Sequence, residues 1–498
     1  MTSSLFEILP LMLALAGLLL AVAAISARAS SRLGIPSALM FIGLGMVIGR
    51  VGQFRDTIEE FDVAYSVGTT ALAVILFYGG LSTNIRRSRG IWTPSILLAT
   101  VGVLGVTLLT ALCAKVLVPG FTWPAALILG AVLGSTDAAS VLQILSGERI
   151  AGRVRETVEL ESGLNDPMAF ILVAAFTAVY VGDGWTWTTI PAVAWQIVGG
   201  AAIGGVIGWF AIRALLAFRE EAAEVYPART LAVLLVAYGA ASLVGASGLL
   251  AVFLAALCLA NSRALPYRAT VVRFHATLAY LAQIVMFLVL GFLVDPKELI
   301  NGQVVIGGAA LALALAAFAR PLVVTCILWP CGYSAREIAG VAWLGLRGAV
   351  PIVLMTIPLI SVSDDRANAD LRLLFLVVFC CVIVGSFVPG STVRWTMRLL
   401  RLRLPPVPRA SAAIDLVTAE PLDASLLMFV VHPASPIAGR TLAEAKIPGE
   451  ITVAMLVRGA RTERVRGDTR FEVGDEVALS VPDRMVGVAR RIFGEEEE

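Results

Sequence analysis

Long apolar runs separated by short polar loops fill the first four fifths of the chain. A membrane-spanning helix needs about 20 predominantly apolar residues. On that criterion the pattern predicts about thirteen helices, over 5–25, 34–49, 63–82, 92–117, 123–146, 157–181, 190–217, 229–242, 246–262, 274–294, 303–328, 337–360 and 371–393. The first run has no basic residue before it, only Glu7, so it reads as a span rather than a cleaved leader. Clusters of arginine punctuate alternate loops: Arg28/Arg32, Arg86/Arg87/Arg89, Arg149/Arg153/Arg155, Arg213/Arg219, Arg263/Arg268/Arg273 and the stretch from Arg394 to Arg403. Arg50/Arg55, Lys297 and Arg366/Arg372, on the other side, lie among carboxylates. The positive-inside rule then puts the N-terminus outside and the C-terminal part in the cytoplasm.

Composition agrees with the pattern. The 498 residues are 58% hydrophobic and 15% charged, with mean hydropathy +0.87. A soluble domain carries about 25% charge, so an ordinary soluble fold is excluded. Continuous Ala, Leu, Val and Ile runs suit helices, whereas a membrane barrel needs strict alternation. The net charge of +2 gives no argument for nucleic acid. Six cysteines lack metal-ligand spacing, and two histidines, His275 and His432, lie far apart in sequence, so no cofactor or resident metal is expected.

Charge is unevenly placed: 28 of the 74 Asp, Glu, Lys and Arg residues follow Leu400. The chain therefore reads as a membrane domain over 1–400, a linker over 401–420 containing Leu404-Pro405-Pro406-Val407-Pro408-Arg409, and a soluble domain over 421–498. Its terminal run Glu495 to Glu498 reads as solvated.

An ionisable residue inside a membrane helix costs roughly 2.5–3.5 kcal/mol on the insertion scale, which makes it a functional candidate. Asp137, Glu161, Asp166, Arg320 and Arg347 pass that filter. Asp137 lies in Leu133-Gly134-Ser135-Thr136-Asp137, where small polar residues weaken the helix. Freed carbonyls beside a carboxylate make a hard-oxygen site for a monovalent cation. In Glu161-Ser162-Gly163-Leu164-Asn165-Asp166-Pro167, Ser162 and Asp166 share one helix face, with Glu161 and Asn165 on the next. Pro167 also leaves the Gly163 carbonyl without its usual donor. Carboxylates crowded beside Asp137 repel one another, so that one of them exchanges a proton for a cation. Leu344-Gly345-Leu346-Arg347-Gly348-Ala349-Val350-Pro351 predicts a second interrupted helix, and two such breaks point to an inverted-repeat transporter. Arg347 either pairs with Glu161 or offsets half-helix dipoles. Arg320, before Pro321, reads equally as a gate or a structural pair.

Together these segments resemble the NhaP-type monovalent cation:proton antiporters, in particular the bacterial potassium/proton branch. The resemblance implies an inner-membrane homodimer with two crossing broken helices. It implies that Asp166 is the principal carboxylate, with Thr136, Asp137 and Ser162 as further cation ligands and Glu161 and Asn165 tied to Arg347. Asn165 stands where electrogenic relatives have a second Asp, which implies electroneutral exchange. K⁺ or Na⁺ and H⁺ are the implied substrates, with the choice between the metals open.

The tail from Leu422 to Phe493 resembles a TrkA-C domain. Strands are expected over Leu426 to Val431, Ile451 to Val457 and Val477 to Val481, with a helix over Arg484 to Phe493. The implied α+β module is regulatory, with a nucleotide or cyclic dinucleotide as an implied ligand. A ligand-gated channel needs a carbonyl filter of the TVGYG kind, and an enzyme needs a motif such as HExxH or GxSxG; the sequence contains neither kind.

Overall fold

The computed structural model describes residues 17, 21, 37–51, 61–83, 90–118, 120–136, 150, 152–182, 184–218, 222–262, 265–345, 347–362, 365–402, 410–413, 424–432, 435–459, 461–482 and 485–493. The predicted first span and Asp137 lie outside these residues. Cα packing divides the chain into two units. One holds Met1–Ala214, Arg229–Ser262 and Val272–Leu404; the other holds Leu215–Ala228, Arg263–Val271 and Pro405–Glu498.

The chain up to Leu404 is helical. Its helices are α1 (Ser37–Val51), α2 (Phe61–Ser82), α3 (Trp92–Leu117), α4 (Trp123–Val132), α5 (Gly152–Val181), α6 (Thr189–Ala217), α7 (Val225–Leu243), α8 (Gly248–Asn261), α9 (Arg268–Phe292), α10 (Gly302–Leu328), α11 (Ala335–Trp343), α12 (Val350–Ser361) and α13 (Asp365–Leu399). Among the described residues eight are long and apolar enough to cross a membrane, with four shorter apolar helices beside them. α5 starts at Gly152, a turn before its apolar stretch, because a charged turn in water is invisible to hydropathy. Ser334 and Glu337 cap α11 reciprocally, fixing its start beside the loop that follows α10.

Among the described residues two features break the regular helices, and each occurs twice. α3 contains a π turn at Leu98–Gly102 and α10 one at Leu315–Ala319, and each packs against the other helix. A π turn inserts one residue into the helical spiral and rotates everything after it. The next helix then stops at a Leu-Gly pair. α4 ends at Val132 before Leu133-Gly134-Ser135-Thr136, and α11 ends at Trp343 before Leu344-Gly345. A long helix with an internal proline closes each set, α5 with Pro167 and α13 with Pro389. Residues that follow the π turns are placed alike, with Val103 against Gly134 and Arg320 against Gly345. In the predicted order α3 and α10 are seven spans apart and so run in opposite directions. The predicted order thus relates the two sets as inverted repeats, and among the described residues α11 and α12 form an interrupted helix while α4 ends at the corresponding Leu-Gly pair. The span predicted over 337–360 is thus two helices, α11 and α12, interrupted as expected.

The second unit contains a five-stranded antiparallel sheet in the order β1-β2-β5-β3-β4, with β1 at Ala410–Ala413, β2 at Ala424–Val430, β3 at Thr452–Arg458, β4 at Arg461–Glu463 and β5 at Glu476–Pro482. Helix α14 (Val486–Ile492) follows, and Phe493 stacks on Phe429 at 4.8 Å. Three strands and the helix match expectation within two residues. β1, inside the stretch read as a linker, and the three-residue β4 were not foreseen.

Arg458 closes one end of this sheet. Its Nε and Nη2 donate to both oxygens of the buried Asp475 at 2.8 Å, and Nη1 lies 3.1 Å from Glu472. Asp475 also accepts from the Glu472 N–H in a turn where Gly474 adopts φ 96°. Burial pushes the Asp475 carboxyl upward, but the Arg458 hydrogen bonds, the Glu472 N–H and the guanidinium charge outweigh it and hold the group below its ordinary value. The stability this contributes is complete above the unfolded carboxylate value, about 3.9, and is lost as pH falls through the lowered folded one. Asp475→Ala is expected to cost the tail about 2 kcal/mol at neutral pH and to flatten its acid-unfolding curve. Denaturant unfolding of both variants across an acid series checks this.

Candidate functional site

The site is built where the two breaks meet α5. On α5, Thr157 and Glu161 face the loop before α11 and α10, respectively, while Ser162 and Asn165 reach the first break; these residues and Asp166 are all buried. Ser162 and Asp166 are four residues apart and share a face, as their spacing requires.

Thr136, the last described residue of the first break, ties that break to α5. Its Oγ1 lies 3.0 Å from Ser162 Oγ and accepts from Asn165 Nδ2 at 2.6 Å. Ser135 Oγ donates to the carbonyl of Val132, the buried last residue of α4. Asn165 Oδ1 has no hydrogen-bond partner among the described residues. Two hydroxyls and an amide side chain thus form a buried, oxygen-rich group, and the buried Asp166 follows Asn165 directly and shares the Ser162 face by its spacing. Such a set suits a hard monovalent cation that sheds its water.

The arginines are placed differently from expectation. Glu161 is paired with Arg320, not with Arg347: Nη1 and Nη2 donate to its two oxygens at 2.9 and 3.1 Å, and both residues are about 2% exposed. Arg320 also donates through Nε to the Ala342 carbonyl and through Nη2 to that of Val341, covering carbonyls at the end of α11. The cause is the π turn before Pro321, which turns Arg320 toward α5, together with Gly345. A Cβ at Gly345 would stand 1.8 Å from Arg320 Nε, so only glycine leaves the guanidinium room. Asn165, also expected at Arg347, is bonded to Thr136 instead.

Arg347 stitches the breaks to each other. Its Nε donates to the Leu133 carbonyl at 3.1 Å and its Nη1 to that of Gly345 at 2.8 Å. Ser386 Oγ on α13 donates to the Arg347 carbonyl, and Arg347 Nη2 has no partner among the described residues. Arg347 therefore bonds the carbonyls that follow the ends of α4 and α11.

Tyr333 was not foreseen. Its hydroxyl lies 2.8 Å from Thr157 Oγ1 and the Arg153 guanidinium stacks 3.7 Å over its ring, while Arg153 donates to the Cys331 and Gly332 carbonyls. A tyrosine in a short loop carries no sequence signal for this. Ser386, in an apolar run, carries none either.

Fold and site together define a membrane cation exchanger. The family model described as "Sodium/hydrogen exchanger, transmembrane" matches residues 17–399, and the chain belongs to that family. A second, the TrkA-C domain, matches residues 426–494. The chain is 31% identical over 486 residues to the K(+)/H(+) antiporter NhaP2 of Shewanella baltica (strain OS223), covering 97% of this chain and 82% of the relative. It is 32% identical over 490 residues to the K(+)/H(+) antiporter NhaP of Alkalimonas amylolytica, covering 96% and 83%. Among solved structures, the sodium proton antiporter MjNhaP1 of Methanocaldococcus jannaschii at pH 8 superposes with a TM-score of 0.69 over 79% of this chain and 99% of that one, at 22% identity.

Proposed function

We propose that the chain exchanges K⁺ for protons one for one across the bacterial plasma membrane, with Na⁺ as a competing substrate. The observation that carries this is the buried Thr136–Ser162–Asn165–Asp166 oxygen group where the breaks meet. A cation entering it exchanges hydration water for the two hydroxyls, the amide oxygen and the carboxylate, with Asp137 a further ligand. A proton on Asp166 removes the charge that holds the cation, so the two substrates exclude each other. Exclusion at one carboxylate is what couples the flows. Glu161 and Arg320 neutralise one another and take no direct part, while Arg347 holds the crossing in register. The names of the curated relatives favour K⁺, and an Asn before the key Asp favours electroneutrality.

A homodimer with the N-terminus outside and the tail in the cytoplasm completes the reading, the tail setting transport rate in response to a small nucleotide-like ligand. Proteoliposomes carrying a pH gradient are expected to dissipate it on addition of K⁺, more weakly with Na⁺ and least with Li⁺, without generating a membrane potential. K⁺ flux with no counter-movement of protons would instead establish a channel.

A further inference from the structure

Beside the cation site, helix α8 touches α5 in an unusual way. A Cβ built on Gly163 would meet Phe253 Cε2 at 2.6 Å and Cζ at 3.0 Å, so the ring edge fills the place of the missing side chain. Gly163 follows Ser162 and stands one turn before Asp166. Phe253 is 1% exposed, and it is clustered with Leu160 and Leu257, flanked by Trp92, Leu164 and Leu254. This apolar layer packs on the turns of α5 that also carry Ser162 and Asp166.

The other faces of α8 are held more firmly. A Cβ at Gly204 on α6 would meet the Ala251 carbonyl at 2.4 Å, one at Gly200 the Ser247 carbonyl at 2.7 Å, and one at Gly80 on α2 the Phe253 carbonyl at 2.7 Å. Those are contacts to backbone, which cannot move aside. Toward α5 the contact is a side chain in a notch, held by dispersion and exclusion of water alone. Backbone lies against backbone on those faces, whereas on this one a side chain that can change rotamer lies against backbone.

We propose that Phe253 is a gating residue. Seated at Gly163, its ring seals the Thr136–Ser162–Asp166 group from water on the α8 side, and it leaves the notch in each transport cycle. This rests on the exchange reading, because only a site that opens alternately needs a seal that releases.

The test uses the full-length protein in proteoliposomes with an imposed pH gradient. Without any monovalent metal ion, Phe253→Ala is expected to raise passive proton leak about tenfold, while Phe253→Leu, which refills the notch, stays near the wild-type rate. Gly163→Ala wedges the ring and is expected to slow K⁺-driven exchange about tenfold at unchanged KM; adding Phe253→Leu to it restores the rate. Wild-type leak in a folded Phe253→Ala protein overturns the gate. So does wild-type exchange by Gly163→Ala, which decides the matter should Phe253→Ala not fold. A wild-type protein that shows no cation-driven exchange overturns the exchange reading instead, and the leak comparison then still judges the seal.

Discussion

Asp166→Asn is expected to abolish cation-driven proton movement while leaving a folded protein. The substitution keeps shape and hydrogen-bonding capacity but removes the charge. At an effective dielectric of about 20, a unit charge about 4 Å from a cation is worth about 4 kcal/mol, or about a thousandfold in affinity. It also removes the group that carries the proton, so neither half of the cycle survives. The surrounding bonds, Thr136 to Ser162 and Asn165 to Thr136, do not involve the carboxylate and persist. Proton flux in proteoliposomes, read beside size-exclusion profile and melting temperature, tests both halves of the expectation. Exchange at even a tenth of the wild-type rate would remove Asp166 from the centre of the site.

The next largest effect belongs to the buried Glu161–Arg320 pair. Arg320→Met leaves the Glu161 carboxylate buried without its partner, and breaking such a pair costs about 3–5 kcal/mol. Replacing both, Glu161→Leu with Arg320→Met, is expected to recover most of that loss, because neither charge is then stranded. The Val341 and Ala342 carbonyls still lose their donor, so recovery is incomplete. Gly345→Ala provides an independent route to the same defect, since its Cβ cannot coexist with the guanidinium. Thermal unfolding of all three in detergent separates the outcomes. A Gly345→Ala protein as stable as wild type would contradict the placement of Arg320.

Sequence alone revealed what is local. Ser162 and Asp166 are one turn apart, so their common face follows from 3.6 residues per turn, and Gly345 with Pro351 announces a broken helix before any coordinates are seen. The partner of Glu161 could not be reached that way. Both Arg320 and Arg347 are cations in apolar helices, and Arg347, beside the obvious break, looked the better partner. The π turn at Leu315–Ala319 decides otherwise, because one inserted residue swings Arg320 by about 100° relative to an unbroken α-helix. Nothing in Leu-Ala-Ala-Phe-Ala signals that insertion. Thr136 and Asn165 likewise meet across 29 positions of chain, a distance over which periodicity says nothing. In the tail, Ala410–Ala413 is too short and too weakly patterned to read as a strand, and becomes one by pairing with β2.

Thr136 and Arg347 occupy the same place in the two repeats, each two residues after a Leu-Gly pair. In a transporter whose halves were chemically identical, the inward- and outward-facing forms would be interchangeable and equal in energy. Here one half carries a threonine hydroxyl at that place and the other a guanidinium held by carbonyls, and the π turns are followed by a valine in one half and a paired arginine in the other. That degeneracy is gone. Alternation between two facing forms is therefore expected to start from an equilibrium that the chain itself tilts to one side, before any ion gradient acts.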